Sequence, residues 1–309
     1  MNAQPVRTAA PRTGLGEGPR LDAASATLSW VDITSGRLWL AGVRPDAPPG
    51  DLLAAPRLLL GLPGNLGCAV RAGEGEDWLL GHGAAVLRWR PGTDPVPVLG
   101  LEPDEGRAHL NDGAVAPDGR FWIGSMSAVK PLRPWGRLHA VDAGRTPPTA
   151  AVLHDGLLAS NGIGWSPDGS RAYVVDSGHR VVHRLRQDGR GGLIPDGPAL
   201  EVAGGVPDGL TVDDEGGVWV ALWDGAAVVR FDAEGAERDR IPFPCSRPTA
   251  CALVGTRLVV TTARVEGEEA SGWTYAVDVG VGGPAARRAA LAPDGPHGPA
   301  VPPDRGGTS

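Results

Sequence analysis

Short apolar segments alternate with polar turns along most of the chain, and three of these units align with one another without a gap. The aligned units begin at Asn111, Asn161 and Asp208, and each continues into a short apolar stretch. A turn follows, with a glycine eight residues after the opening position, and then a second apolar stretch with an aromatic residue near its start. Gly- and Asp-containing turns between such stretches are typical of β-hairpins. Each unit is therefore predicted to be a β-hairpin.

Weaker copies of the same unit extend the series to six. They open at Glu17, near residue 67 and near residue 248, and successive openings are 40 to 50 residues apart. A repeat of this length matches the four-stranded blade of a β-propeller. No helical periodicity of useful length competes with it. The pattern therefore predicts an all-β fold, a six-bladed β-propeller.

The composition agrees with an all-β chain. The 47 Gly and 30 Pro residues are scattered through a sequence that is 41% hydrophobic, as expected of many short strands joined by tight turns. We expect a single propeller domain at residues 14–291. A flexible N-terminus at 1–13 and a disordered tail at 292–309 are expected to flank it.

Charge and hydropathy exclude several classes of partner. A formal net charge of −7 without a basic run gives no electrostatic reason to bind nucleic acid. The most apolar stretch, residues 52–62, contains Pro56 and Arg57 and is not expected to span a membrane. The N-terminus has no apolar core of signal-peptide length, and the three cysteines lack metal-binding spacing. We expect a cytoplasmic monomer or small homo-oligomer with buried, reduced thiols.

Four oxygen-bearing side chains occupy the same slot of different repeats, namely Glu17, Asn111, Asn161 and Asp208. The innermost strand of each propeller blade lines the central channel, so equivalent positions are expected to lie at one depth. Carboxylate and carboxamide oxygens suit Ca²⁺, Mg²⁺ or Mn²⁺. Without a cation, Glu17 and Asp208 would repel each other in a poorly solvated channel. Because Asn and Asp also cap turns, a purely structural role is the alternative for each position.

Six sequence stretches add a more specific signal. They are GEGPRLD at 16–22, WVDITSGRLW at 30–39, NDGAVAPDGRFWIGSM at 111–126, SNGIGWSPDGSRAYVVDS at 160–177, PDGLTVDDEGGVWVALW at 207–223 and RPTACAL at 247–253. Together they resemble the gluconolactonase/regucalcin (senescence marker protein) family over roughly residues 14 to 290. The resemblance implies a six-bladed propeller with a central metal site, one divalent cation (Ca, Zn, Mn or Mg) and hydrolysis of a lactone, a cyclic ester, to a hydroxy acid.

The same resemblance implies roles for individual residues. Glu17, Asn161 and Asp208 match the metal ligands of the family. Asn111 matches a substrate-contacting residue near the metal, and Asp208 also matches the catalytic acid/base. The implied substrate partner is a small-molecule lactone.

Two positions depart from the pattern of the sugar-lactonase members of that family. His109 stands two residues before the Asn-Asp-Gly motif, where those members commonly have Arg. The segment from Met126 to Lys130 lacks the acidic residue that they often carry there. Arg and Glu would bind sugar hydroxyls, so we expect a substrate range that is not restricted to gluconolactone. His109 is predicted to bind substrate, with a structural role at a strand end as the open alternative.

Two other functions would keep the same ligands: a non-catalytic calcium-binding regulatory propeller, and a metal-dependent esterase of another ester. A serine hydrolase is disfavoured, because Ser160 lies outside a Gly-x-Ser-x-Gly elbow. Asp112 and Asp176 are expected to brace turns or groups beside the site. The recurring aromatic residues are expected to pack in the blade core; they include Trp30, Trp122 and Trp219.

Overall fold

The computed structural model describes residues 4–102, 106–189 and 191–293. Within these ranges the chain forms 25 β-strands, numbered here in chain order, and one short 3-10 turn at Pro49–Asp51. The strands assemble into six antiparallel sheets, one for each predicted repeat. The predicted all-β, six-bladed propeller is therefore confirmed. No helix in the described ranges has the length and apolar character needed to cross a membrane.

Each blade is a sheet whose strands follow one another in sequence. Blade 1 contains β2 (Gly16–Asp22), β3 (Thr27–Asp32), β4 (Arg37–Val43) and β5 (Leu53–Gly61). Blade 2 contains β6 (Leu66–Ala72), β7 (Asp77–His82), β8 (Ala85–Trp89) and β9 (Val96–Gly100). Blade 3 contains β10 (Ala108–Val115), β11 (Phe121–Ser127), β12 (Gly136–Asp142) and β13 (Thr149–Leu157). Blade 4 contains β14 (Ser160–Trp165), β15 (Ala172–Asp176), β16 (Val181–Gln187), β17 (Leu193–Pro195) and β18 (Leu200–Glu201). Blades 5 and 6 contain β19 (Val206–Val212), β20 (Val218–Trp223), β21 (Ala227–Phe231) and β22 (Glu237–Pro242); and β23 (Pro248–Val254), β24 (Arg257–Thr262), β25 (Tyr275–Asp278) and β1 (Val6–Arg7).

Burial falls from the innermost to the outermost strand of a blade. In β23 every residue is buried, whereas β9 and β13 are largely exposed or half-buried. The second strands carry the repeated aromatic residues between neighbouring blades. These are at most 1% exposed: Trp30, Trp78, Trp122, Tyr173 and Trp219. They are core residues, as the sequence predicted.

The N-terminal strand completes the last blade. β1 pairs with β25, so the sixth sheet has the order β1-β25-β24-β23. The connection onward is also tied down, since the Thr8 amide donates to the Thr274 carbonyl at 2.9 Å and Arg12 Nε donates to the Ser271 carbonyl at 2.8 Å. These contacts join residues 6–12 of the segment 1–13 to the last blade, and the flexibility expected of that segment stays a prediction. Joining the two ends of the chain in one sheet closes the ring and shields a strand edge.

The segment after β25 crosses the mouth at which the innermost strands end. Its amides at Ala286 and Ala289 donate to the carbonyls of Leu21 and Arg71 at 2.9 and 2.8 Å. It covers a small cavity of about 90 Å³ at that mouth. Ala292, the first residue of the expected tail, is still bonded to blade 3 through Ala143, and residues 294–309 lie outside the described ranges. The open mouth is the opposite one, where the innermost strands begin.

All three cysteines are free and buried. Burial raises the pKa of each thiol, to about 11 for Cys245. Protonated buried thiols are unreactive, so the expectation of buried, reduced cysteines is confirmed.

Candidate active site at the open mouth of the channel

The four side chains of the repeated slot line one cavity of about 490 Å³ at the open mouth. Glu17 comes from blade 1, Asn111 from blade 3, Asn161 from blade 4 and Asp208 from blade 5. Glu17, Asn111 and Asp208 are at most 9% exposed, although all are polar. The predicted convergence of residues that are far apart in sequence is what the structure shows.

A repeated irregularity of the backbone presents these side chains to the channel. In all six blades the register between the first and second strands shifts within the innermost strand, as it does at a β-bulge. In the four blades that supply the polar slot, the shift falls between Glu17 and Arg20, Leu110 and Gly113, Ser160 and Ile163, and Pro207 and Leu210. A bulge bends the strand and re-aims the side chain that it contains. The slot recognised in the sequence is thus a repeated bulge.

Glycines that follow the slot allow neighbouring innermost strands to approach closely. A Cβ atom on Gly162 would lie 2.4 Å from the backbone nitrogen of Leu210. A Cβ atom on Gly209 would lie 2.3 Å from the Cβ atom of Ala250. A side chain at either position would push adjacent blades apart and separate the site residues that they carry.

Asn161 is oriented by its amide nitrogen. Nδ2 donates to Ser177 Oγ at 3.2 Å and also to Asp208 Oδ1. The Ser177 hydroxyl in turn donates to the Pro207 carbonyl at 2.7 Å, which leaves its lone pairs for Asn161. With both amide hydrogens used, Asn161 has its Oδ1 atom left to bind a ligand.

Asn111 is held less completely. Its Nδ2 donates to the Ser160 carbonyl at 2.9 Å, across the boundary between blades 3 and 4. One amide hydrogen and the amide oxygen then remain for a ligand in the cavity.

Glu17 and Asp208 share an unfavourable environment for negative charge. Burial raises the pKa of Glu17 well above its usual range, and the charges of Asp208 and Asp112 raise it further. Burial and the charge of Asp112 likewise raise the pKa of Asp208, against a smaller effect of the hydrogen bond from Asn161. The Gly18 amide and the charge of Arg20 lower the pKa of Glu17 by less, so the negative charge is only partly compensated.

Arg20, whose charge acts on Glu17, is itself held by another carboxylate and a carbonyl. Arg20 Nη2 lies 2.9 Å from Asp112 Oδ1 and also donates to the Gly113 carbonyl. Asp112 accepts the Gly113 amide at 2.7 Å as well, so it braces the bulge of blade 3. The expectation that Asp112 supports a turn or a neighbouring group agrees with these contacts.

The donor set fits a hard divalent cation. Within the described ranges no group of three His, Cys, Asp or Glu side chains is placed to hold a metal. The slot instead offers two carboxylates and the Asn161 amide oxygen, an all-oxygen set of the kind that Ca²⁺, Mg²⁺ and Mn²⁺ prefer. A cation there would also offset the repulsion between Glu17 and Asp208. Glu17, Asn161 and Asp208 are thus suited to hold it.

His109 is the predicted site residue with the weakest connection to the cavity. It lies on β10 opposite Met126, which lines the cavity, but His109 is not itself among the described residues of the lining. Burial lowers the pKa of its imidazole, so the ring is neutral at physiological pH. Its predicted role in substrate binding stays a prediction.

Sequence reasoning missed several lining residues, because they lie on loops and at strand ends outside the repeated slot. The wall includes the polar side chains of Ser177, Lys130, Arg180 and Asp224. Apolar residues supply much of the rest: Leu15, Ile33, Met126, Leu132, Val206 and Trp223. One available signal was that Lys130 is the only lysine of the chain.

Asp176 and Ser160 stand beside the site without entering it. Asp176 accepts the amides of Leu158 and Ala159 at 3.2 and 3.1 Å, and it accepts a hydrogen bond from His179 Nδ1 at 2.7 Å if that nitrogen carries the proton. It therefore braces the entry into β14, as expected. The Ser160 hydroxyl is fully buried and packs close to Gly124.

Known proteins are similar to this chain in sequence and fold. The family described as the SMP-30/Gluconolactonase/LRE-like region matches residues 15–264. L-Arabinolactonase of Azospirillum brasilense is 34% identical over 260 residues, which is 82% of each chain. The 6-deoxy-6-sulfogluconolactonase of Pseudomonas putida is 34% identical over 275 residues, 84% of this chain and 87% of that one.

A solved structure from the same group of proteins has a similar fold. Regucalcin of Agrobacterium tumefaciens, described as a calcium-binding protein, has a TM-score of 0.74 at 27% identity and covers 91% of this chain and 94% of its own. The family match spans residues 15–264, which is most of the propeller. The chain belongs to the SMP-30/gluconolactonase/LRE-like family.

Proposed function

We propose that this protein is a metal-dependent lactonase, a carboxylic-ester hydrolase that opens a cyclic ester to a hydroxy acid. The observation that carries the proposal is the pair of buried, mutually repelling carboxylates Glu17 and Asp208, which line one cavity with Asn111 and Asn161. Relatives named as lactonases of an arabinose and a sulfonated gluconic acid support the reaction class.

Glu17, Asn161 and Asp208 would hold the cation through their side-chain oxygens. When bound, a divalent cation supplies Lewis-acid stabilisation of the negative charge that develops on the lactone carbonyl oxygen. The chain itself prepares this site, since Ser177 turns the Asn161 amide and the bulges aim the two carboxylates.

Asp208 is proposed as the acid/base. One of its oxygens accepts the Asn161 amide, which leaves the other to take a proton from the attacking water. Burial raises the pKa of Asp208 in the metal-free chain, and a bound cation would act in the opposite direction, so Asp208 would serve as a weak base. When the ring C–O bond breaks, the same proton passes to the leaving alkoxide, and the product is a hydroxy acid.

Asn111 and the apolar wall position the substrate. The amide hydrogen that Asn111 does not give to Ser160 can donate to the carbonyl or ring oxygen of the lactone. Met126, Val206 and Trp223 exclude bulk water from the cavity and contact the carbon skeleton of the ring. We do not restrict the substrate to gluconolactone, because the two named relatives act on other lactones.

One experiment tests this function. The protein is stripped of metal with a chelator and assayed on aliphatic and sugar lactones and on aryl esters, with Ca²⁺, Mg²⁺, Mn²⁺ or Zn²⁺ added back. We expect lactone opening that disappears on stripping and returns with at least one cation. Asp208→Asn should lower kcat about 10²–10³-fold, whereas Glu201→Gln, at an exposed carboxylate of blade 4, should leave it unchanged.

A non-catalytic calcium-binding propeller is the second candidate, because the structural relative regucalcin is described as calcium-binding. The same experiment separates the two. Cation binding that requires Glu17 and Asp208, together with no turnover of any lactone or ester, would support the non-catalytic function. Turnover of aryl esters but of no lactone would instead identify an esterase on the same centre.

A further inference from the structure

Two positively charged side chains line the rim of the cavity without a partner. Lys130 lies in the connection from β11 to β12, and Arg180 lies in the connection from β15 to β16. Both residues are exposed at the open mouth, whereas Glu17 and Asp208 are buried below them. Within the described part of the chain, neither the Lys130 ammonium nor the Arg180 guanidinium forms an ion pair or a hydrogen bond.

Arg247, another arginine near this mouth, is already engaged. Arg247 Nε lies 2.6 Å from Asp224 Oδ1, and its guanidinium stacks 4.5 Å from the centre of the Trp223 ring. Asp224, the acidic residue of the rim, therefore has its charge matched by Arg247. The positive charges of Lys130 and Arg180 remain available to a ligand.

The backbone at Arg180 adds an independent observation. Its φ is +59°, in the left-handed region that favours glycine. The same turn in blade 1 has Gly36 at φ +62°, and the amides of Gly36 and Arg180 donate to the residues three positions earlier, Ile33 and Ser177, at 3.1 and 3.3 Å. An arginine at this position costs roughly 1 kcal/mol relative to glycine. Arg180 therefore brings its side chain to the rim at a small cost in backbone energy.

We propose that the substrate is a lactone with an anionic substituent remote from the ester, and that Lys130 and Arg180 bind this substituent. The inference rests on the lactonase function proposed above. Glu17 and Asp208 place the ester chemistry at the floor, so a substituent at the far end of the substrate reaches the rim. A sulfonate, phosphate or carboxylate has the oxygen geometry that a guanidinium and an ammonium recognise together.

Charge at the rim also directs the approach of such a substrate. Exposed cations beside a cavity raise the local concentration of anions. Salt at 0.1 M ionic strength limits the range of this attraction to about 10 Å. The anionic lactone should therefore be opened less efficiently as salt is added. A neutral lactone has no charge to be steered and should be almost insensitive.

The test compares one sugar δ-lactone in three forms that carry hydroxyl, sulfonate or phosphate at the exocyclic carbon. It uses Lys130→Met, Arg180→Gly and the double variant, with Arg145→Gln as the matched control, an exposed arginine of the β12–β13 connection. We expect kcat/KM for the anionic lactones to fall about 10-fold in each single variant and about 100-fold in the double variant. The neutral lactone should change less than about 2-fold, and Arg180→Gly should keep or raise Tm because it relieves the left-handed strain.

Binding is measured separately by calorimetric titration with the sulfonated hydroxy acid, which is the product. Its Kd should rise in the variants by the same factors and should rise with salt. Equal preference for neutral and anionic lactones in the wild type, or unchanged binding of the sulfonated acid in the double variant, would overturn the proposal. If no lactone is opened but the titration still depends on Lys130 and Arg180, the lactonase function fails while the anion subsite stands.

Discussion

The pKa values of buried carboxylates are shifted in opposite directions in two regions of this propeller. At the blade turns, Asp32 accepts the amides of Gly14 and Leu15 at 2.9 and 3.0 Å. Burial acts to raise the pKa of Asp32, but hydrogen bonds from the Leu15 and Gly14 amides, with those from the Ser35 and Thr34 side chains, outweigh it and hold the pKa below its usual 3.8. Asp176 occupies the equivalent register in blade 4 and accepts the amides that precede β14.

At the channel mouth, burial and neighbouring negative charge outweigh the hydrogen bonds to the carboxylates. Glu17 accepts one amide, that of Gly18 at 3.2 Å, and Asp208 accepts the Asn161 side chain. These hydrogen bonds do not offset burial and mutual repulsion, so the pKa of each carboxyl is raised. The difference separates carboxylates that main-chain donors satisfy from carboxylates whose charge is left uncompensated. A bound cation would compensate the second kind.

The largest expected effect on the fold comes from the turn carboxylates. Asp32→Ala leaves two amides at the entry of blade 1 without an acceptor, and should lower the free energy of unfolding by about 2–3 kcal/mol. Urea denaturation measures this loss. Activity per folded molecule should stay close to wild type, and Glu201→Ala should change stability by less than about 0.5 kcal/mol. A stable Asp32→Ala protein with lost activity would erase the distinction between the two regions.

A smaller effect should come from the hydroxyl that orients the site. Ser177→Ala removes the acceptor that holds the Asn161 amide, and should weaken cation binding about tenfold. Calorimetric titration measures the affinity, and turnover should return towards wild type at saturating cation. Ser170→Ala, in an exposed turn of the same blade, is the control. Loss of turnover that saturating cation does not restore would assign Ser177 a more direct role.

The smallest effect concerns the metal-free protein at neutral pH. Glu17→Gln removes a destabilising buried charge and should raise the free energy of unfolding by about 1 kcal/mol, a rise in Tm of about 2–4 °C. Because folding raises the pKa of Glu17 above its ordinary 4.5, the wild type loses stability as pH rises through 4.5 towards the folded pKa. The advantage of Glu17→Gln should therefore vanish below about pH 4.5.

Asp32 should show the opposite dependence on pH. Its folded pKa is lowered from 3.8, so its stabilisation is present above that value and is lost as pH falls through the folded pKa. Calorimetric melting of metal-free wild type, Glu17→Gln and Asp32→Asn across the acid range tests both signs together. Parallel curves for the two variants would contradict the comparison.

The convergence of the slot residues on one cavity was predictable because the repeat carried the necessary information. Asn111, Asn161 and Asp208 align in sequence without a gap, and a propeller places aligned positions at one depth. The second strands were equally readable, since Trp30 and Trp219 recur in register and pack in the core. A local pattern and a rotational architecture were enough for both.

Other features could not be obtained in this way. Lys130 and Arg180 belong to connections that the repeat does not align, so their meeting at one rim depended on how blades 3 and 4 pack. β1 is two residues long and carries no pattern of its own, and its pairing with β25 appears only when the ring closes. The contacts of the segment after β25 are likewise made with blades distant in sequence.

By itself, the sequence determined the number of blades, the turn chemistry and the four polar residues of the slot, because these depend on periodicity within each repeat. Only the tertiary structure decided which charges are compensated. Asp32 finds main-chain donors at the entry of its own blade, whereas Glu17 faces a carboxylate that another blade supplies. Electrostatic energies in a buried channel follow distances through space, and those distances exist only after the ring has closed.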